Sequence, residues 1–227
     1  MSFLDYILFG IYPYIAIAIF LLGSLIRFDR EQYTWKSDSS QLLKRGQLRW
    51  GSNLFHIGII GLMLGHVVGL LTPHEVYHAM GLSTELKQLI AMTAGGIMGS
   101  ICLAGLLLLV HRRLTEPRIL ATSTRMDIFI LLWILATLCL GLFSIIISSQ
   151  HMDGSVMLLL ADWAQHIVTF RAGAAELLTN VSVFYKIHLF FGMTLFVLFP
   201  FSRLVHVWSG FASLLYVLRP YQIVRKR

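Results

Sequence analysis

Long stretches without any charged side chain constrain the fold of this chain most. Four of them hold at least 21 residues each: 6–26, 50–74, 88–111 and 128–152. Because a helix needs about 20 mainly apolar residues to cross the hydrocarbon core of a bilayer, each stretch predicts one membrane span. A fifth stretch, 187–202, is shorter, but Lys186 and Arg203 at its ends can extend their charged groups to the lipid headgroups. We therefore expect an all-α integral membrane protein with five transmembrane helices.

The composition agrees, since only 13% of the residues are charged and the mean hydropathy is +0.75, whereas soluble domains carry about 25% charged residues. We expect one membrane domain over 1–227, with a C-terminal tail at 209–227. The first span lacks a basic segment before it and is too long for a signal peptide, so we expect it to be retained. The predicted helices lie at about 4–26, 50–72, 86–111, 126–148 and 181–208.

Basic residues are distributed unevenly between the two ends of these helices. Of the 18 Lys and Arg residues, 15 lie in the segments 27–49, 112–125 and 203–227. The positive-inside rule therefore places the N-terminus outside and the C-terminus in the cytoplasm. This pattern favours contact with anionic lipid or a cytoplasmic partner rather than nucleic acid. The stretch 155–170, between the fourth and fifth spans, is amphipathic enough to lie along the outer surface.

Four histidines lie within two of the predicted spans, where an ionisable residue is costly without a partner. Helix two runs outward, so His56 is its inner histidine and His66 its outer one. Helix five runs inward, so His188 is outer and His206 is inner. The depths therefore match in pairs, His66 with His188 and His56 with His206.

Two imidazoles at one depth on facing helices can supply both axial ligands of a haem iron. At about 1.5 Å per residue, the pairs are separated by about 15 Å along helix two and about 27 Å along helix five. These distances suit two haems stacked across the membrane, and Pro200 can bend the longer segment. We expect a dihaem, four-histidine bundle. A haem-free anchor, or a small transporter that uses the histidines for protons, remains an alternative.

Several other residues have two interpretations. Arg27, Arg112 and Arg203, at inner helix ends, can pair with haem propionates or anchor in headgroups. Cys102 and Cys139 are isolated, so we expect buried apolar residues rather than a disulfide or a cluster. Seven glycines leave room for a macrocycle or serve helix packing: Gly58, Gly61, Gly65, Gly69, Gly95, Gly96 and Gly99.

The sequence HEVYH at 74–78 matches the H-E-x-x-H motif of zinc proteases. Such a site needs a third protein ligand, and Thr84 stands where the longer form of the motif has histidine. The segment also follows Pro73 in a short connection between two spans. We therefore interpret this motif as a coincidence.

Six segments resemble the gamma subunit of bacterial membrane-bound respiratory nitrate reductase, and the resemblance covers essentially the whole chain. They are IYPYIA, EQYTWKSDSSQ, SNLFHIGIIGLMLGHVVGLLTPH, QHMDGS, WAQHIVTF and FFGMTLFVLFPFSRLVHVWS. The resemblance implies a five-helix cytochrome b with two haem b groups in the bacterial cytoplasmic (inner) membrane. Such a subunit oxidises quinol and passes electrons to an iron–sulfur beta subunit, while a molybdenum-containing alpha subunit reduces nitrate.

The resemblance also implies a role for individual positions. His66 and His188 would bind the outer haem iron, and His56 and His206 the inner one. A quinol site, for menaquinol or ubiquinol, would lie beside the outer haem, and we assign Lys87, His66 and Gly65 to it. A dihaem cytochrome b subunit of another quinone-linked complex remains the nearest alternative.

Overall fold

The computed structural model describes residues 2–31, 34–35, 45–150 and 152–210, and its secondary structure is helical. Five helices are long and apolar enough to cross a membrane, which confirms the five predicted spans. They are α1 (Phe3–Arg30), α2 (Arg45–Leu71), α4 (Thr84–Thr115), α6 (Arg125–Ser148) and α9 (Val183–Leu198). Four short helices connect them: α3 (His74–Ala79), α5 (Pro117–Ala121), α7 (Ser155–Val168) and α8 (Ala174–Leu177).

Two helix starts show why these segments become helical where they do. The Ser83 side chain accepts a hydrogen bond from the backbone N–H of Leu86 and caps α4. Thr124 and Asp127 form a reciprocal capping box at the start of α6, which satisfies backbone N–H groups that have no partner within the helix. Most of the predicted tail, 211–227, lies outside the described residues.

Helices α2 and α4 approach each other closely because glycines face the partner backbone. A Cβ atom on Gly58 would lie 2.6 Å from Cα of Cys102, and one on Gly105 would lie 2.7 Å from the carbonyl oxygen of Gly51. Small residues at such positions let membrane helices make extensive van der Waals contact. Cys102 is fully buried in this contact, as expected from the sequence. Cys139 is exposed on the surface of α6, so the expectation that it is buried was wrong.

Helix α1 is distorted at two places, the first of which contacts the short helices α7 and α8. It contains two π-helical turns, Ile7–Ile11 and Ile19–Gly23. Because a π turn shifts the backbone pairing, it can leave a carbonyl for another partner. The Phe9 oxygen accepts a hydrogen bond from the indole Nε1 of Trp163 on α7, at 2.9 Å. The amphipathic segment thus packs against α1.

Helix α7 also contacts the end of α2. The Gln165 side chain donates to the Leu70 carbonyl oxygen at 3.1 Å. Together with its contact to Phe9 near the start of α1, this places α7 at the end of the bundle that carries the N-terminus. We call this end the outer end and the opposite one the inner end, after the orientation that the sequence predicts.

The fifth predicted span is not one continuous helix, so this part of the prediction was wrong. Helix α9 ends at Leu198, and two 3-10 turns follow at Phe199–Phe201 and Arg203–Val205. Ser202 between them has an extended backbone, with φ −122° and ψ 178°. Pro200 has no N–H for a helical hydrogen bond, which favours such an interruption. His206 therefore belongs to a separate helical segment, and the 27 Å rise expected for a straight helix does not apply.

Candidate functional site

The structure brings the four histidines together in the two pairs expected from their depths. The ring centroids of His66 and His188 lie 6.1 Å apart, with 42° between the ring planes. Those of His56 and His206 lie 6.3 Å apart, with 68° between the planes. Both pairs thus join α2 to the fifth span, although His206 follows the break in that span.

Each imidazole is oriented by a hydrogen bond from its Nδ1 atom to a backbone carbonyl oxygen. His66 bonds to Leu62 at 2.7 Å and His188 to Thr137 at 3.1 Å. At the inner end, His56 bonds to Ser52 at 2.7 Å and His206 to Arg203 at 2.6 Å. Because a carbonyl only accepts, Nδ1 carries the proton, and Nε2 keeps its lone pair.

These four residues fit the axial ligands of two haem groups. Metal-bound histidines commonly donate a hydrogen bond from the N–H of their second ring nitrogen to a carbonyl oxygen. This bond fixes the tautomer and orients the ring. A bond from an imidazole nitrogen to a metal is about 2 Å long, and each ring centre lies about 1 Å beyond its nitrogen. Two imidazoles that bind one iron therefore have ring centres about 6 Å apart. The ring centres of the two pairs here are 6.1 and 6.3 Å apart.

Six of the seven glycines divide into two groups, and a Cβ atom on the seventh, Gly95, would make an ordinary contact with Cδ1 of Ile145 at 3.7 Å. Gly58, Gly61 and Gly99 face neighbouring helices, since a Cβ atom on each would lie within 3 Å of Cys102, Met98 or Leu142. Gly65, Gly69 and Gly96 would place a Cβ atom within 4 Å of nothing. Only this second group, which includes Gly65 next to His66, is compatible with a macrocycle beside the helix.

Two residues of α6 that support His188 carry no recognisable signal in the sequence. The Thr137 carbonyl accepts its Nδ1–H, and Gly141 lies beneath its ring. A Cβ atom at Gly141 would lie 2.9 Å from Cε1 and 3.4 Å from Nε2 of His188. A single glycine within an apolar span carries no signal that distinguishes this role from ordinary helix packing.

Hydrogen bonds of two of the three inner arginines join segments far apart in the sequence. Arg27 donates through one guanidinium nitrogen to the carbonyl oxygens of Pro200 and Ser202, at 2.7 and 2.9 Å. Arg203 donates to the Asp127 carboxylate at 2.7 Å. Arg112 is buried, with 2% of its surface exposed. Arg27 and Arg203 therefore hold the interrupted segment that leads to His206.

At the outer end, Lys87 is buried, with 9% exposure, and its Nζ has no hydrogen-bond partner among the described residues. Nζ lies over the Tyr77 ring, 4.1 Å from its centre. No hydrogen bond, ion pair or ring contact of the described residues joins Lys87 to His66 or Gly65. The lysine can donate hydrogen bonds to an acceptor that enters this end of the bundle.

The HEVYH segment forms the short helix α3, and its first histidine is engaged on both ring nitrogens. His74 Nδ1 lies 2.9 Å from the Tyr77 hydroxyl oxygen, and Nε2 lies 2.6 Å from Oδ1 of Asp162 on α7. No group of three or more metal-ligating side chains occurs within residues 2–31, 34–35, 45–150 and 152–210.

Comparisons with known proteins agree on one family. Residues 5–227 match the family model described as nitrate reductase gamma subunit. The chain is 52% identical to the respiratory nitrate reductase 1 gamma chain of Escherichia coli (strain K12) over 227 residues, covering all of both chains. It is 37% identical to the nitrate reductase gamma chain of Bacillus subtilis (strain 168) over 221 residues, which cover 97% of this chain and 98% of the relative.

Proposed function

Because the chain belongs to the nitrate reductase gamma subunit family, we propose that it is the dihaem cytochrome b subunit of a quinol:nitrate oxidoreductase complex. In this role it anchors the complex in the bacterial cytoplasmic membrane, with its N-terminus outside. The pairing of four histidines, each with Nδ1 bonded to a carbonyl and Nε2 available, supports this proposal most directly.

His66 and His188 hold the outer haem b, and His56 and His206 the inner one. When bound, two haem groups supply one-electron transfer between the two ends of the bundle. The protein's own contribution is to fix the four ring nitrogens. The carbonyls of Leu62, Thr137, Ser52 and Arg203 set the tautomers and keep the rings from rotating.

Quinol, either menaquinol or ubiquinol, binds at the outer end beside Lys87, His66 and Gly65. The Lys87 ammonium donates a hydrogen bond to a quinol oxygen, because it is buried without a hydrogen-bond partner in the described part of the chain. Gly65 leaves space beside His66. Oxidation at this end releases two protons outside, while electrons move inward. Moving one charge against 100 mV stores about 2.3 kcal/mol, so the reaction conserves energy.

Two partner subunits complete the reaction at the inner end. An iron–sulfur beta subunit accepts the electrons, and a molybdenum-containing alpha subunit reduces nitrate. The basic residues predicted to be cytoplasmic lie on this side, where they can contact the beta subunit or anionic lipid. The chain acts as an enzyme only as the quinol-oxidising part of this complex.

A difference spectrum tests this proposal. The purified complex is measured reduced with dithionite minus oxidised, with haem quantified per gamma subunit, for the wild type, His66→Ala and His78→Ala. We expect two b haems in the wild type, and one haem with no quinol oxidation in His66→Ala. We expect unchanged spectra in His78→Ala, whose exposed histidine lies outside both pairs. A wild-type protein without haem would contradict the proposal and favour an anchor or a transporter.

A second measurement separates nitrate reductase from other quinone-linked complexes. The soluble subunits that copurify are identified, and the reduced haems are offered nitrate, sulfite or a heterodisulfide. Reoxidation by nitrate alone supports the proposed complex. Reoxidation by another acceptor would retain the cytochrome assignment and reject nitrate.

A further inference from the structure

The outer end contains a hydrogen-bonded chain of side chains that the haem pairs do not use. His74 on α3 lies between the Tyr77 hydroxyl, at 2.9 Å from Nδ1, and the Asp162 carboxylate, at 2.6 Å from Nε2. Because an ionised carboxylate only accepts, Nε2 of His74 carries the proton. Nδ1 then has a lone pair and accepts the hydrogen bond from Tyr77.

This chain leads from the interior to the surface. Tyr77 is 2% exposed and carries the buried Lys87 ammonium over its ring. The side chains of His74 and Asp162 are 28% and 36% exposed. A molecule that is hydrogen-bonded to Lys87 thus lies beside Tyr77, the buried end of this series of side chains. The other end, at His74 and Asp162, is in contact with solvent.

The two elements that hold the chain are fixed independently of it. Helix α7, which carries Asp162, is attached to α1 through Trp163 and to α2 through Gln165. Helix α3 begins directly after Pro73, whose ring restricts the backbone at that position. The distance between His74 and Asp162 is therefore set by the surrounding fold.

We propose that Tyr77, His74 and Asp162 form the path by which the protons of quinol leave the site, an inference that rests on the proposed function. A quinol O–H bond breaks, and its proton passes to the Tyr77 oxygen as the Tyr77 proton passes to His74 Nδ1. Asp162 stabilises the resulting imidazolium, which then releases a proton to outside water. The electrons leave one at a time to the haem pathway, so the path operates twice for each quinol oxidised to quinone.

Other ionisable groups surround this path and enter its pH dependence. They lie on α3, at the outer end of α4, and in and just before α7: Glu75, His78, Glu85, Lys87, Asp153 and His166. His78 follows His74 by one helical turn and is exposed. Its ring lies 4.5 Å from that of Tyr77, but it forms no hydrogen bond with Tyr77 or Asp162 in the described residues. His78 is therefore a matched control for His74.

The test uses the intact complex in membranes and the synthetic quinol duroquinol. Haem reduction by duroquinol is followed by stopped flow between pH 5 and 9 for the wild type, His74→Gln, Asp162→Asn, Asp162→Glu and His78→Gln. General bases commonly contribute a factor of about 100 or more, so we expect His74→Gln to slow reduction by at least about tenfold. Its static haem spectrum should stay unchanged, and its rate should depend on pH differently from that of the wild type.

Two further results are expected if His74 carries protons rather than only supporting the fold. Asp162→Glu should recover part of the rate that Asp162→Asn loses. Added imidazole should accelerate a His74→Ala variant, because the path ends at the surface. In the control variant, His78→Gln, duroquinol should reduce the haems at the wild-type rate.

Wild-type rates and an unchanged pH profile in His74→Gln and Asp162→Asn would overturn the proton path while leaving the proposed function intact. If His74→Gln fails to assemble, Tyr77→Phe decides, since it removes one oxygen and keeps the ring under Lys87. A wild-type rate in Tyr77→Phe would also overturn the path. Absence of haem from the wild type would instead reject the proposed function itself.

Discussion

For each of the four paired histidines, one backbone carbonyl oxygen sets the tautomer and orients the ring. In three of the four cases the carbonyl lies three or four residues earlier in the same segment, as for His66 and Leu62. His188 differs, because its acceptor is Thr137 on another helix. Its ring approaches α6 only because position 141 is glycine. The His66–His188 pair therefore depends on a third helix. The hydrogen bonds of His56 and His206 stay within their own segments.

Replacing Lys87 should preserve or raise the thermal stability of the complex while weakening quinol binding. Burying an ammonium without a hydrogen-bond partner is unfavourable, so Lys87→Met should leave thermal stability of the complex equal or higher. In the proposed quinol site, the variant loses a charged hydrogen bond to quinol, worth about 1.5–3 kcal/mol. We therefore expect the KM for duroquinol to rise about ten- to a hundredfold, with unchanged haem spectra.

Lys186→Met is the matched control for this substitution. Lys186 pairs with Asp5 at 3.2 Å, and its side chain is only 16% exposed. Removing it should lower thermal stability slightly and leave the KM unchanged. An unaltered KM in Lys87→Met would show that this lysine does not bind quinol.

Among the helices, the fifth span shows how a membrane segment tolerates an interruption. The backbone around Pro200 and Ser202 would leave carbonyl oxygens without helical partners, which is costly in a bilayer. Arg27 from α1 supplies the donors for both. Asp127 then binds Arg203, whose own carbonyl orients His206. Arg27 and Asp127, which are far apart in the sequence, thus help to position His206.

Arg27→Gln tests this arrangement. Glutamine is shorter and uncharged, so both carbonyls lose a charge-assisted hydrogen bond, each worth about 1.5–3 kcal/mol. We expect a lower unfolding temperature, and a shift or loss of the inner haem in the difference spectrum while the outer haem is retained. Arg30→Gln, an exposed position at the end of α1, should retain both haems. Equal effects of the two substitutions would contradict a specific role for Arg27.

Considered as one structure, the bundle has two chemically different ends. The described outer end carries α3, α7 and α8 with the His74–Asp162 pair, while the inner end carries arginines bonded to carbonyls and to Asp127. This asymmetry agrees with the distribution of basic residues, although the direction of insertion is itself a prediction.

Cysteine labelling in intact cells checks the orientation. Met80→Cys, in the connection after α3, and Ala121→Cys, at the end of α5, place thiols at exposed positions at opposite ends. A membrane-impermeant maleimide should label Met80→Cys in intact cells and Ala121→Cys only after lysis. Cys102 is buried and Cys139 lies within α6, so the wild type should give little background. The reverse pattern would invert the topology.

Much of the architecture was predictable because the responsible forces act along the sequence. The absence of charge over 21 or more residues predicts a span, and the opposite directions of the second and fifth spans place their histidines at matching depths. The pairs His56–His206 and His66–His188 follow from this one-dimensional argument and are adjacent in the structure. The resemblance at these positions points to the same residues.

Other features required the folded chain because they depend on groups distant in the sequence. Arg27 bonds to carbonyls more than 170 residues away, and His74 finds Asp162 across 88 residues. Sequence patterns distinguish neither Gly65 from Gly58 nor a continuous fifth helix from an interrupted one. Hydrophobicity and periodicity decide which segments become helices and how deep their residues lie. Packing decides which donor meets which acceptor, because hydrogen bonds depend on positions within a few tenths of an ångström.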